Sequence, residues 1–487
     1  MRPVLLLVVL ALLAGCGDAD RPAATAAGST LRATLTDPDG DGFLERGPAM
    51  PLTERRDLGG SGRPGREIAR FAQITDAHVR DEESPARVPF LDRLGPPFES
   101  AFRPQEGETA QVLDAAVRAL HAERPQAVAV TGDLADNAQS NELELAIEVL
   151  RGGRADPSSG ARAYEGVQQA DNPDPYYYRP DNDAPRHPGL TAAAQRPFTA
   201  AGLDPPWYPA LGDHDALVQG EVPSTPAIGA LATGSHMLTD LDGDVRPPTD
   251  EASAPAVVDA LLADPAGLPG RTREVTPDPH RRTLSPEQAV ARLRAAVPAA
   301  RTVAGRLDYT FDIGPRVRAI VLDTVHREGG SGGVVLPAQV RWLERRLAEA
   351  GDRYVVVFSH NPLDTCAGGE RALSAMGAAG NVVAAIAGHR HRNSIEPDPG
   401  GFWRISTASL VDFPQQTRMF RLREGADGGV VLETWMVDHD GRGVAGPARE
   451  LAYLDAQGGR PQGFARRRAD RNARLYLPAP TSGATPG

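Results

Sequence analysis

Residues 382–391 read Val-Val-Ala-Ala-Ile-Ala-Gly-His-Arg-His. Six apolar residues in a row suit a parallel strand buried on both faces, and the run is too short for a core helix. Gly388 stops it, and His389 and His391 follow at once. The same pattern occurs four more times. Ile68 to Thr75 leads into Asp76-Ala77-His78, and Ala127 to Val130 into Gly132-Asp133-Leu134-Ala135-Asp136-Asn137. Trp207 to Leu211 leads into Gly212-Asp213-His214-Asp215, and Tyr354 to Phe358 into Ser359-His360. Helical patterns lie between: Val112, Leu113, Ala116, Val117 and Leu120 share one face of Glu108 to Ala122, and Val340, Leu343 and Leu347 one face of Pro337 to Ala350. Alternating strands and helices predict an α/β fold with parallel strands. Phe402 to Ser406, Met419 to Leu422 and Val430 to Met436 predict a closing antiparallel set.

Ligands of an open α/β sheet bind outside the carboxyl ends of its strands. Here five such ends carry carboxylates and imidazoles without thiolates, a donor set that suits zinc, manganese, iron or a similar divalent ion. Two histidines one residue apart can reach two ions set about 3.5–4 Å apart. Any one piece alone is common in solvated loops; the information lies in five together, each at a strand end.

Composition narrows the functional class. The chain has 487 residues, with 52 basic side chains, all Arg, against 64 acidic ones, for a net charge of -12. That balance argues against nucleic-acid binding, which needs clustered cations to release counterions. The length alone allows two to four domains. Yet the motifs run from Asp76 to His391 and build one site, so much of the chain is insertion, tether and tail. Gly (51) and Pro (44) together make about one residue in five, which predicts an ordered core with long loops. At the N-terminus, Arg2 precedes an apolar run from Val4 to Leu13, too short to span a bilayer but suited to a signal peptide. It ends in Leu13-Ala14-Gly15-Cys16, which resembles a bacterial lipobox and implies lipid on Cys16, removal of residues 1–15 and an exported protein anchored to the membrane. With Cys16 modified, Cys366 has no partner within the chain, so disulfides and Cys-based zinc sites are excluded, and Cys366 reads as a small buried hydrophobe.

The ordered set Asp76-x-His78, Gly132-Asp133-x-x-Asp136-Asn137, Gly212-Asp213-His214-Asp215, His360 and Gly388-His389-x-His391 resembles the calcineurin-like metallophosphoesterase superfamily. The resemblance covers about residues 66 to 435 and implies a four-layer αββα sandwich with two divalent metal ions (Mn, Fe or Zn). It implies that Asp76, His78 and His391 hold the first ion, that Asp133 bridges, and that Asp213, His360 and His389 hold the second. It further implies a bridging hydroxide as nucleophile, His214 as acid for the leaving oxygen and Asp215 orienting its ring. Around the site, Asn137 and Arg390 read as substrate contacts, and Asn137 also as a residue that turns and fixes the bridging loop. The activity implied is hydrolysis of a phosphomonoester or phosphodiester outside the cytoplasm. The alternative is a surface metal-binding or receptor-like module with an idle site; a nuclease is disfavoured by the charge.

Two residues depart from the family pattern. Asp213 stands where Asn is usual. Two divalent ions less three carboxylates and one hydroxide then sum to zero rather than +1, and one unit charge at about 4 Å is worth up to about 4 kcal/mol at an effective dielectric of 20. A diester monoanion is therefore expected to suit the site better than a monoester dianion. Asp136 stands where the purple acid phosphatase branch has Tyr, which disfavours that branch. The expected boundaries are a tether over 16–65, a catalytic domain over 66–440 with insertions at about 152–206 and 220–282, and a tail over 441–487. The insertions are expected to cap the site, with Tyr176, Tyr177, Tyr178, Trp207 and Tyr208 lining a pocket or packing their own loops. Asp37 to Gly42 reads as an Asp/Gly turn with a weak echo of a calcium loop. The Arg cluster from Arg466 to Arg474 is either a solvated helix face or a contact for anionic lipid or wall polymer.

Overall fold

The structure, a computed structural model, describes residues 28–94, 101–241, 270–296, 305–460 and 467–479. Along the chain run β1 (Gly28–Ser29), β2 (Thr53–Arg55), β3 (Pro64–Ile74), α1 (Thr109–Glu123), β4 (Val128–Thr131), α2 (Ser140–Arg151) and β5 (Trp207–Ala210). There follow β6 (Tyr309–Asp312), β7 (Val317–Leu322), α3 (Pro337–Ala350), β8 (Tyr354–Ser359), α4 (Gly369–Ala379), β9 (Val382–Ala387), β10 (Ser394–Pro397) and β11 (Trp403–Ser406). The last elements are β12 (Gln416–Gly425), β13 (Val430–Asp438), α5 (Ala445–Gln457) and β14 (Ala473–Leu477).

The strands form two main sheets. One has the order β2-β14-β13-β12-β3-β4-β5, with β1 also on β13; the other has the order β6-β7-β8-β9-β11-β10. Within the first, β3, β4 and β5 are parallel, and within the second, β7, β8, β9 and β11 are. The sheets pack face to face through one core. Phe71 on β3 stacks on Phe420 of β12 (centroids 4.8 Å apart) and meets Phe358 of β8 edge-on (5.9 Å), pairs worth about 0.5–1.5 kcal/mol each beyond area burial. Outside the second sheet, Val340, Leu343 and Leu347 of α3 and Met376 of α4 pack on Ile320, Leu322, Val355 and Val357. The first sheet is covered by α1, whose periodic face is buried as its spacing requires. The layers are therefore helix, sheet, sheet, helix.

Three sequence expectations need correction. Residues 28–65 and 441–479 are not tether and tail throughout: β1, β2 and β14 extend the first sheet, and α5 packs against α1. These strands are short and lie in Gly- and Pro-rich sequence, so periodicity gave no sign of them. β11 does not join an antiparallel set with β12 and β13 but pairs parallel with β9. The described residues of the insertions do not roof the site. Among the described residues they pack on one another and on the 79–94 segment, through Phe102, Val167, Tyr177, Met237 and Val275 and through the buried Arg281–Asp81 pair (3.0 Å). The aromatic residues pack likewise: Tyr208 stacks on Phe311 at 3.6 Å, Tyr176 and Tyr177 meet Phe102, and Trp207 is buried.

Residues 1–27, including Cys16 and the apolar run, lie outside the described residues, as do 242–269 and Arg466. Among the described residues no helix is long and apolar enough to cross a membrane. Cys366 is buried, which pushes its thiol up to about 12. Asp37 accepts backbone N–H groups of Gly40, Asp41 and Gly42 and the Tyr453 hydroxyl, as a turn-forming Asp does. Of the late arginines, Arg467 pairs with Asp470, Arg474 with Glu433 and Glu54, and Arg471 donates to Gln416.

Candidate metal centre

The carboxyl ends of β3, β4, β5, β8 and β9 meet where the parallel halves of the two sheets abut. Gly388 N–H donates to the His360 carbonyl (3.0 Å) and Asp76 N–H to the Gly132 carbonyl (3.1 Å), so adjacent motifs are hydrogen-bonded to each other. Of the ten non-glycine residues with positive φ among the described residues, five are Asp76, His78, Asp133, His389 and His391. Such backbone costs about 1–3 kcal/mol per residue and persists where the surroundings dictate it, commonly at functional sites. It turns each side chain inward just beyond its strand.

The two glycines that precede ligands at the closest approaches explain the Gly-Asp and Gly-His spelling. A Cβ on Gly212 would lie 2.1 Å from the Asp133 nitrogen, and one on Gly388 would lie 2.0 Å from Thr75 Oγ1 and 2.5 Å from Asp76 Oδ2. Gly388→Ala is therefore expected to displace Asp76 and weaken divalent metal binding about 10–100-fold, as loss of a ligand's support does, measured by manganese titration.

Two groups of donor atoms result, each with its members within 4.8 Å of one another: Asp76, His78, Asp133 and His391, and Asp133, Asp213, His360 and His389. Asp133 belongs to both. Its Oδ2 lies 3.6 Å from His78 Nε2 and 3.3 Å from His360 Nε2, while its Oδ1 accepts the His214 N–H (3.0 Å). His78 Nε2 and His391 Nε2 face each other at 3.2 Å. His360 Nε2 and Asp213 Oδ1, 2.7 Å apart, are both buried and neither makes a hydrogen bond of proper geometry. Buried polar atoms left without hydrogen bonds are rare in folded proteins and call for a missing partner. A cation between them is such a partner, and the O/N donor set suits a borderline or hard divalent ion. The residues fit two ions.

Three of the imidazoles are fixed by their other ring nitrogen. His78 Nδ1–H donates to Asp136 (2.9 Å), His360 Nδ1–H to the Thr131 carbonyl (2.8 Å) and His391 Nδ1–H to Asp412. These partners select the tautomer that leaves Nε2 free to ligate. His389 presents Nδ1 instead, 3.1 Å from Asp213 Oδ1. Burial lowers the His78 pKa below its usual value, outweighing Asp136 and Asp133. Burial opposes protonation of His360 too, but Asp133 and Asp213 hold it well above.

Behind the first group lies a buried ionic network that sequence reading missed. Asp136 pairs with Arg80 (2.6 Å) and Asp412 with Arg103 (2.6 Å); Glu106 accepts from Arg80, from Arg87 and from the Arg103 N–H (3.0 Å). Glu106 thus joins the supports of both histidines of that group. The only sequence sign was an unusual density of charge over residues 80–87 and 103–108. Contacts such as Arg103 with Asp412 cross about three hundred residues.

Two site expectations are corrected. Asp215 does not orient His214: its Oδ1 accepts the N–H groups of Leu134 and Ala135 and its Oδ2 that of Gly212, all at 2.9 Å. It caps the short helical turn Asp213–Ala216 and ties the third motif to the second, and burial together with Asp133 pushes it up to about 7. The His214 ring is set by the Asp136 carbonyl, which accepts Nδ1–H at 2.6 Å, leaving Nε2 toward the cleft. Burial opposes its protonation, yet Asp133, Asp136 and Asp213 raise its pKa above the usual value. Asn137 is fully buried, donating to the Ala86 carbonyl (2.8 Å) and accepting the Gln219 N–H (2.8 Å), so it braces the loop rather than facing a substrate.

The centre opens into a cleft of about 730 Å³, lined by His78, His214, His389, His391, Glu221 and Arg390 among others. From the insertions, among the described residues, only the Gln219–Glu221 start of the second reaches it.

The sequence matches no protein-family model, and no curated protein matches it. Solved structures similar to it include a dimetal phosphatase from Danio rerio, 14% identical, covering 77% of this chain and 97% of that one with a TM-score of 0.41. Another is a purple acid phosphatase from yellow lupin (Lupinus luteus) seeds, 11% identical, with a TM-score of 0.32; 77% of this chain is covered and 52% of that one, so the match spans about half its length.

Proposed function

We propose that this protein is a metal-dependent phosphoesterase. One observation carries the reading: two four-residue Asp/His groups share Asp133 on the wall of an open cleft. Asp76, His78, Asp133 and His391 would hold one ion, and Asp133, Asp213, His360 and His389 the other. Bound there, the ions supply Lewis acidity toward phosphoryl oxygens and lower the pKa of water to near neutral. The chain's own contribution is positional. Asp136, Asp412 and the Thr131 carbonyl hold the imidazoles in the ligating tautomer. His214, with Nδ1–H on the Asp136 carbonyl, presents Nε2 at the cleft wall, from which a proton can be given to the leaving oxygen.

The test is hydrolysis of p-nitrophenyl phosphate and bis(p-nitrophenyl) phosphate with manganese, iron or zinc. Turnover abolished by a chelator and restored by one of these ions is the expected result. Inactivity with every divalent ion would favour the metal-binding module instead, for which Asp213 is the single supporting residue.

Asp213 sets the preference between esters. With a neutral centre the diester should be the better substrate, and Asp213→Asn is expected to raise monoester kcat/KM relative to diester about tenfold or more, within the ~4 kcal/mol of one unit charge at ~4 Å. An unchanged ratio would refute this electrostatic account. We also propose export with lipid on Cys16, on the strength of Leu13-Ala14-Gly15-Cys16; a Cys16→Ser chain released from the membrane fraction would support it, and one still retained would not.

A further inference from the structure

Five arginines line the cleft among the described residues: Arg103, Arg390, Arg392, Arg460 and Arg467. Three are committed to internal carboxylates. Arg103 pairs with Asp412 (2.6 Å), Arg460 with Asp92 and Asp455 (both 2.7 Å), and Arg467 with Asp470 (2.9 Å). Arg390 and Arg392 differ. Both are exposed, and neither side chain makes a hydrogen bond or ion pair with the described residues. In a chain with 64 acidic residues, two arginines one residue apart on the cleft without a carboxylate partner among the described residues stand out.

Their place in the loop separates them from the metal ligands. The left-handed backbone at His389 (φ 67°) and His391 (φ 51°) turns the imidazoles inward, where their side chains are 23% and 15% exposed. The alternate residues Arg390 and Arg392 are left on the rim. Ser331, Gly332 and Gly333 line the same cleft, as do the carboxylates of Glu221 and Glu396. A guanidinium presents a planar fork of donors that grips a phosphate or carboxylate bidentately.

Building on the phosphoesterase reading, we propose that Arg390 and Arg392 form a subsite for a second, non-reacting anionic group, so that preferred substrates are phosphate esters bearing a further phosphate or carboxylate away from the scissile bond. The neutral metal centre strengthens the case. With Asp213 cancelling the surplus charge at the ions, the rim arginines carry the attraction for an anion. A cleft of about 730 Å³ also has room well beyond a single phosphoryl group.

The test compares thymidine 5′-(p-nitrophenyl phosphate) with the same compound carrying a 3′-phosphate. The two share one scissile bond and differ by a distal dianion. The wild-type protein should favour the phosphorylated probe about tenfold or more in kcat/KM, chiefly through KM, with the ratio falling as salt rises. In the Arg390→Gln/Arg392→Gln double variant the ratio should collapse toward one. A wild-type ratio near one, or a variant that loses both activities equally and keeps the ratio, overturns the subsite; the second outcome would place the arginines on the reacting phosphoryl. A carboxylate in place of the 3′-phosphate decides whether charge alone or phosphate is read. Hydrolysis of neither probe with any divalent ion would fail the phosphoesterase reading itself, a result distinct from loss of the preference.

Discussion

Asp133→Ala is expected to abolish measurable phosphoesterase activity and to remove both metal ions together. Asp133 is the one residue common to both donor groups, with Oδ2 within 3.6 Å of His78 Nε2 and 3.3 Å of His360 Nε2. Its other oxygen accepts the His214 N–H, so the substitution also frees the turn that carries the acid. Metal catalysis is worth several kcal/mol of transition-state stabilisation, so a loss of at least about 10³-fold in kcat is expected. Metal analysis of the purified variant against wild type checks the coupling: near-zero occupancy is expected. If one equivalent were kept at wild-type affinity, the two groups would be independent sites and Asp133 no bridge.

The second large effect is expected at Glu106, which touches no metal. It is 1% exposed by side chain and carries Arg80 and Arg87, themselves 2% and 0% exposed. Glu106→Gln leaves two buried guanidinium groups short of a countercharge, and breaking a buried pair in this way costs about 3–5 kcal/mol. Arg80 is also the partner of Asp136, and the Arg103 backbone is held by Glu106. The supports of His78 and His391 should therefore loosen together, weakening the first ion about 10–100-fold while the second, resting on His360 and Thr131, is spared. Thermal unfolding and a two-phase manganese titration measure the two effects. The local variant Asp412→Asn separates them, since it should weaken the first ion with a smaller loss of stability. Equal weakening of both ions would mean that the network acts through overall stability alone.

The seven candidate ligands were legible because their signal is local. Each follows a buried apolar run within a few residues, and Gly388 and Gly212 mark backbones that approach too closely for a Cβ. His214 and Asp215 show where local reading misleads. The family resemblance made them partners, but in the turn Asp213–Ala216 the third residue folds back to cap the first N–H groups, and a carbonyl from another motif takes the imidazole. Asp412 and Glu106 were invisible for a different reason. Their meaning depends on Arg103 and Arg80, and nothing in the residues themselves distinguishes a carboxylate that meets a distant guanidinium from one in water. The edge strands β2 and β14 likewise owe their structure to pairing with each other and with β13, not to any pattern of their own.

The donors are divided between the two halves of the sandwich. Asp76, His78, Asp133 and Asp213 follow strands of the first sheet, whereas His360, His389 and His391 follow strands of the second. Each donor group draws on both halves. A metal ion held there would act as a clasp across the seam between sheets, linking segments far apart in the chain in the way a cross-link does. By mass action, its binding free energy then belongs to the folded state as a whole. The proposed catalytic centre and the hold of one sheet on the other would then be the same set of bonds.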